Sequence, residues 1–143
     1  MKIRKAKPED AEEIYKLRIE TIEKINRKDY IKEEIEGFKR LYSKKVIIEK
    51  IKSTEMFCII ENNKIIGTIY LQGNKIGGFF IRSDYTGKGI GSILLKFIEE
   101  YAKNKGIVVS NIPIAEIIKI FFLFLIIMMG LSGLPSPIEI FVL

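Results

Sequence analysis

Between residues 56 and 82 the chain carries three short apolar runs separated by very short turns, and this spacing most restricts the possible folds. Met56–Glu61 (MFCIIE), Ile65–Leu71 (IIGTIYL) and Ile76–Arg82 (IGGFFIR) are rich in β-branched and aromatic residues. Asn62-Asn63-Lys64 and Gly73-Asn74 separate them. Strands joined this tightly run antiparallel, because a parallel return needs a crossover of a dozen residues or more. A meander is therefore expected in the middle of the chain.

The flanks have a different period. Lys2–Ala6 alternates polar and apolar residues and reads as a first strand. Pro8-Glu9-Asp10 suits a helix start, where free N–H groups favour negative charge. Ile14, Leu17, Ile22 and Ile25 then lie near one helical face, and Asn26-Arg27-Lys28-Asp29 ends it. A second helix is expected to carry Ile31, Ile35, Phe38, Leu41 and Tyr42. Lys44–Ser53 is ambiguous, with a further helical turn or two as its reading. After the meander, Ile90, Ile93, Leu94, Phe97, Ile98 and Tyr101 recur at helical spacing, and Asn104-Lys105-Gly106 stops the helix. Ile107-Val108-Val109 begins a further strand. The order β-α-α-β-β-β-α-β predicts an α+β fold with a mixed, mostly antiparallel central sheet flanked by helices; the late strand–helix–strand argues for one parallel pairing.

The turn before the long helix carries the chemistry. Thr86-Gly87-Lys88-Gly89-Ile90-Gly91 removes three Cβ atoms from a strand-to-helix junction. Backbone N–H groups can then converge on one point, backed by the positive end of the helix dipole. That arrangement suits a pyrophosphate, with Lys88 adding a mobile positive charge at the rim. Two familiar phosphate loops do not fit. In the P-loop pattern a glycine stands five residues before the second one, where this chain has Arg82, and Ser or Thr follows the lysine, where it has Gly89. The dinucleotide fingerprint needs G-x-G-x-x-G, and here the spacing is G-x-G-x-G with no acid capping Ile107–Val109.

Residues 79–92, FFIRSDYTGKGIGS, resemble the coenzyme A motif of the GNAT superfamily of N-acetyltransferases. There a bulged strand precedes a [QR]-x-x-G-x-[GA] turn and a long amphipathic helix. The resemblance extends over roughly residues 2–110. It implies that acetyl-coenzyme A is the donor and an amine, small-molecule or peptide, the acceptor. By position, Ile81 would offer backbone groups to the pantetheine arm. Gly87, Lys88, Gly89, Ile90, Gly91 and Ser92 would hold the pyrophosphate. Thr86 takes the place of the usual Gln or Arg. The acceptor side would come from the first two helices and their loop, Ile22 to Tyr42, with Tyr30, Phe38 and Tyr42 as aromatic candidates. Many members draw the leaving-group proton from a tyrosine in an Asn-x-x-Ala…Phe-Tyr stretch. This chain has Asn111, Ala115 and Phe121-Phe122, and no tyrosine after Tyr101. The general acid is then missing or supplied elsewhere, and Ser110, at the end of its strand, is a hydroxyl candidate for catalysis. Tyr70 and Glu61 read as a packing aromatic and a turn acid, and Cys58 as a core residue.

Composition removes other chemistry. Histidine is absent and there is one cysteine, so Ser-His-Asp and Cys-His systems and internal disulfides are excluded. No Cys, Asp and Glu cluster has metal-site spacing, so no metal is expected. The formal charge of +6 is spread over 24 basic and 18 acidic residues, which reads as solvated surface and not a nucleic-acid patch. The start MKIRKAKPED lacks a signal-peptide apolar run, which fits a cytoplasmic protein. Residues 1–110 thus form the expected acetyltransferase core. Residues 111–143 are atypical, with no charge from Ile120 to Ile138. They either complete the fold, form an altered terminus, or anchor the chain in a membrane through residues 117–138; glycines and prolines in their second half disfavour the anchor.

Overall fold

The computed structural model describes residues 1–26, 36–37, 39–40 and 42–109, with residues 25 and 26 as backbone. Among these residues the strands and α-helices with described bounds are, in order, β1 (Lys2–Lys5), α1 (Ala11–Asn26), α2 (Lys44–Ser53), β2 (Glu55–Glu61), β3 (Lys64–Gln72), β4 (Lys75–Ile81) and α3 (Ile90–Asn104). The sheet order is β1-β2-β3-β4, and every pairing is antiparallel. The expected meander is present within a residue or two. Its first turn is the pair Asn62-Asn63, both with positive φ (49° and 59°), the backbone twist that a two-residue hairpin needs. Gly73-Asn74 closes the second hairpin, since Gln72 faces Lys75.

The sheet is covered on both faces. Phe57, Ile59, Ile69 and Leu71 pack against Ile90, Leu94, Ile98 and Ala102 of α3. Those four helical residues recur every fourth position, which makes one buried stripe. On the other face Met56, Cys58, Ile65 and Phe80 meet Ala11, Ile14 and Leu17 of α1 and Ile47 of α2. Strand alternation assigns Cys58 to the core, and burial pushes its thiol up to about 12. Across β3 the alternation slips by one residue, because Ile59 faces Gly67 while Ile60 faces Ile65. Ile66 is the extra residue of this bulge, and the Glu13 carboxylate accepts the Ile65 amide at 2.7 Å.

Lys44–Ser53, ambiguous in sequence, is a helix of ten residues, capped where the Ser43 hydroxyl accepts the Val46 amide. Two expectations change. Ile93 is exposed, although its spacing put it near the apolar stripe of α3. Ile107–Val109 form no strand, so the parallel pairing does not occur among the described residues, and Val108 is exposed. The helix expected over Ile31–Tyr42 falls mostly outside the described residues; Glu36, Gly37, Lys39 and Arg40 are helical. The readings of residues 111–143 also lie outside them. Among the described residues no helix is long and apolar enough to cross a membrane.

Candidate functional site

The site begins with a defect in β4. Thr68 faces Phe80 and Tyr70 faces Gly77, so two steps on β3 oppose three on β4. The extra residue is accommodated by Gly78, at φ +58°. Its carbonyl accepts the buried Thr68 hydroxyl at 2.9 Å, and the Tyr70 ring covers Gly77 and Gly78. A Cβ on Gly78 would stand 2.6 Å from Tyr70 Cε1, so only glycine fits. Tyr70 is thus the packing aromatic that its strand position suggests.

Beyond the bulge, the Arg82 amide donates to the Ile66 carbonyl at 2.9 Å, while Gly67 faces Ile81. Gly67 and Ile81 are therefore a non-hydrogen-bonded pair, and both backbone groups of Ile81 point away from β3. The Thr21 hydroxyl of α1 donates to the Leu17 carbonyl at 2.7 Å and lies 3.3 Å from the Ile81 carbonyl. β4 is the last strand of the sheet among the described residues, and the Ile81 N–H faces that edge.

A single turn, Ser83–Tyr85, then leads into the glycines. These are not equivalent. Gly87 and Gly89 both have φ +79°, and a Cβ on either would meet nothing within 4 Å. Gly91 is already helical, and its missing Cβ makes room for the Phe79 ring, 3.1 Å from where that atom would be. Gly89 is the N-cap of α3 and has no side chain to offer the first turn. Of the turn's amides, that of Lys88 donates to the Tyr85 carbonyl at 3.4 Å and that of Thr86 to the Ser83 carbonyl at 3.3 Å. The amides of Gly87, Gly89, Ile90, Gly91 and Ser92 find no acceptor among the described residues; the first capped amide is that of Ile93, bonded to Gly89. α2 shows the contrast, since Ser43 occupies an amide of its first turn. α1 carries Glu12 and Glu13 in its first turn, whereas α3 has no acid there. A 15-residue helix thus presents an uncapped, acid-free N-terminus, which attracts anions.

The rim is basic. Lys88 Nζ lies 4.7 Å from the centroid of the Tyr85 ring, and Lys24 Nζ donates to the Ser83 hydroxyl at 2.9 Å. Arg82 is bound to Asp84, whose carboxyl it holds below the usual range. The Thr86 hydroxyl is exposed and makes a long contact of 3.5 Å to the Arg82 carbonyl. All eight residues expected to hold the cofactor therefore fall on one continuous path from the bulged strand to the first turn of α3. Ser110, Tyr30 and Phe38 lie outside the described residues.

Sequence reasoning missed Arg18. It is 3% exposed, between Tyr42 and Phe80. The available signal was its place at i+4 from Ile14 and i−4 from Ile22, where it interrupts the apolar stripe of α1.

A bulged strand at the edge of the described sheet thus runs into a helix N-terminus with no side-chain cap and no acid in its first turn. The model of the acetyltransferase (GNAT) family matches residues 19–113, well over half of the chain, and the chain belongs to that family. It is accordingly an acyltransferase that uses acetyl-coenzyme A. Among solved structures it is similar to the PaiA N-acetyltransferase of Thermoplasma acidophilum in complex with coenzyme A, at 28% identity and a TM-score of 0.67 over 74% of each chain. A GCN5-related N-acetyltransferase of Rhodopseudomonas palustris shares 21% identity, with a TM-score of 0.65 over 73% of this chain and 67% of that one. One from Ralstonia eutropha JMP134 shares 13% identity, with a TM-score of 0.63 over 94% of both chains; these last two likenesses concern the fold. No curated protein matches the chain.

Proposed function

We propose that the chain transfers the acetyl group of acetyl-coenzyme A to a primary amine, with the diphosphate held by the amides of Gly87, Gly89, Ile90, Gly91 and Ser92. The observation that carries this is the set of five amides that find no acceptor among the described residues, at the glycine turn and the start of α3. Their fit to the group rests on the empty space over Gly87 and Gly89, where any side chain would stand between the amides and an anion. Bound there, the cofactor supplies an activated acetyl thioester. Lys88 adds charge at the rim, and Thr86 contributes a hydroxyl where a longer side chain is usual. The Ile81 N–H, turned outward from the sheet, is suited to polarise a carbonyl lying along the β4 edge.

Ser110 is our candidate for returning a proton to the leaving thiolate. A second reading is a relative that binds coenzyme A but transfers poorly, with residues 111–143 an altered terminus. It is favoured by one observation: no tyrosine follows Tyr101, and Tyr101 is itself bonded to Glu55 at 2.6 Å. Release of free coenzyme A thiol with a panel of amines, alongside calorimetric binding, separates the two. The enzyme gives both thiol release and binding heat; the impaired relative gives heat alone. Absence of both would remove the two readings together. Fractionation of cells expressing the full chain or residues 1–116 tests membrane anchoring through residues 117–138, which predicts that only the full chain sediments with membranes.

A further inference from the structure

Arg18 is the least explained group in the described structure. Its guanidinium is almost wholly removed from water, yet Nε and Nη2 have no hydrogen-bond partner. Burying a guanidinium without a carboxylate is costly, and an apolar residue of similar size would be more stable there. The groups acting on it electrostatically are Tyr42, Tyr70 and Cys58, none of them a carboxylate. The rings of Tyr42 and Phe80 stand 5.6 and 5.0 Å from the guanidinium carbon, which offsets part of the cost and fixes its orientation. Its Nη2 lies 3.2 Å from where a Cβ on Gly78 would be, so the charge abuts the bulge of β4. One turn further along α1, the Thr21 hydroxyl lies 3.3 Å from the Ile81 carbonyl. The unpaired cation therefore lies between α1 and the strand segment assigned above to the acetyl group.

We infer that Arg18 binds a carboxylate of the acceptor, so that the substrate is an amine that also bears a carboxylate, of amino-acid to dipeptide size. Two features support this beyond the missing partner. A guanidinium offers paired N–H donors that match a carboxylate. Gly78 and Ile81 are three residues apart, about 10 Å at ordinary strand rise, a span that limits the distance between the acceptor's two functional groups. The same charge disfavours an acceptor whose second group is a further ammonium.

This inference rests on the acetyl-transfer reading, and its test keeps the two apart. Full-length wild type and Arg18→Met are compared with L-amino acids and their matched α-amides, which differ only in the anionic group. Melting temperature, coenzyme A affinity and thiol-release kinetics are recorded. The expected variant melts no lower than wild type and binds coenzyme A equally well. Wild type has a KM for acids at least about 30-fold below that for amides, and the variant loses that preference by raising KM for acids alone. A lower melting temperature, or equal KM values for acids and amides in wild type, overturns the inference. If coenzyme A binds but no amine is acetylated, transfer itself has failed. Calorimetric titration of the same pairs into the coenzyme A complex then decides: heat from acids alone supports the Arg18 site, and equal heat, or none, overturns it.

Discussion

Gly89→Glu should cripple coenzyme A binding while leaving the protein folded. The fold survives because a Cβ at Gly89 meets nothing within 4 Å. The remaining cost is the left-handed backbone at φ +79°, about 1–2 kcal/mol for a residue with a side chain. A domain stable by ~5–15 kcal/mol tolerates that. The loss of affinity is electrostatic. A carboxylate about 4 Å from a phosphate charge costs ~1 kcal/mol fully solvated and ~4 kcal/mol at a protein surface. Affinity should therefore fall between about 5-fold and 1000-fold. Calorimetry with coenzyme A measures it, and two controls isolate the cause. Gly89→Asn keeps a residue that accepts this backbone and adds no charge, so it should bind far better than the glutamate. Gly106→Glu carries the same kind of strain, at φ +70° with open space around it, but lies beyond the C-terminal end of α3 and should bind like wild type. Equal affinity in Gly89→Glu and Gly106→Glu would refute the reasoning.

Gly78→Ala should destabilise the fold by about 2–5 kcal/mol, combining overpacking against Tyr70 with left-handed strain. Urea denaturation of the pair with Tyr70→Leu should recover the packing share and leave the backbone share. Glu55 is bonded to Lys5, Tyr101 and Lys105, which together draw its carboxyl down to about 2 from an ordinary 4.5. Because its folded value is depressed, the stabilisation is complete above the ordinary value and is lost as pH falls through 4.5 towards 2. Wild type should lose its advantage over Glu55→Gln across that window in urea melts. The difference should shrink in high salt, because this carboxylate is about one-third exposed.

What could be read from residues alone followed how locally each feature is determined. The meander was legible because Asn62-Asn63 and Gly73-Asn74 allow no other connection between β-rich runs. The buried stripe of α3 was legible because apolar positions repeat every fourth residue there. α2 was not, since Val46, Ile47, Ile48 and Ile51 are crowded among lysines and only Ile47 is buried. Ile107–Val109 are apolar, but apolar residues alone do not make a ladder, and among the described residues these three pair with no strand. At the site, the glycine turn was legible as a strand-to-helix junction stripped of side chains, yet its three glycines looked alike. Only the backbone separates Gly87 and Gly89, which are left-handed and open, from Gly91, which yields space to Phe79. The bulge at Gly78 depends on register between two strands, which no run of sequence encodes alone. Arg18 was overlooked because charged residues are normally assigned to the wet side of a helix, and its burial depends on Phe80, sixty-two residues away.

The most direct examination of the diphosphate cradle is by amide resonances. In ¹⁵N-labelled protein titrated with coenzyme A, the N–H signals of Gly87, Gly89, Ile90, Gly91 and Ser92 should shift downfield together as their hydrogens engage phosphate oxygens. Titration with pantetheine, which lacks the diphosphate, should leave them in place. If coenzyme A binds while those five signals stay still, the helix terminus is not where the phosphates sit.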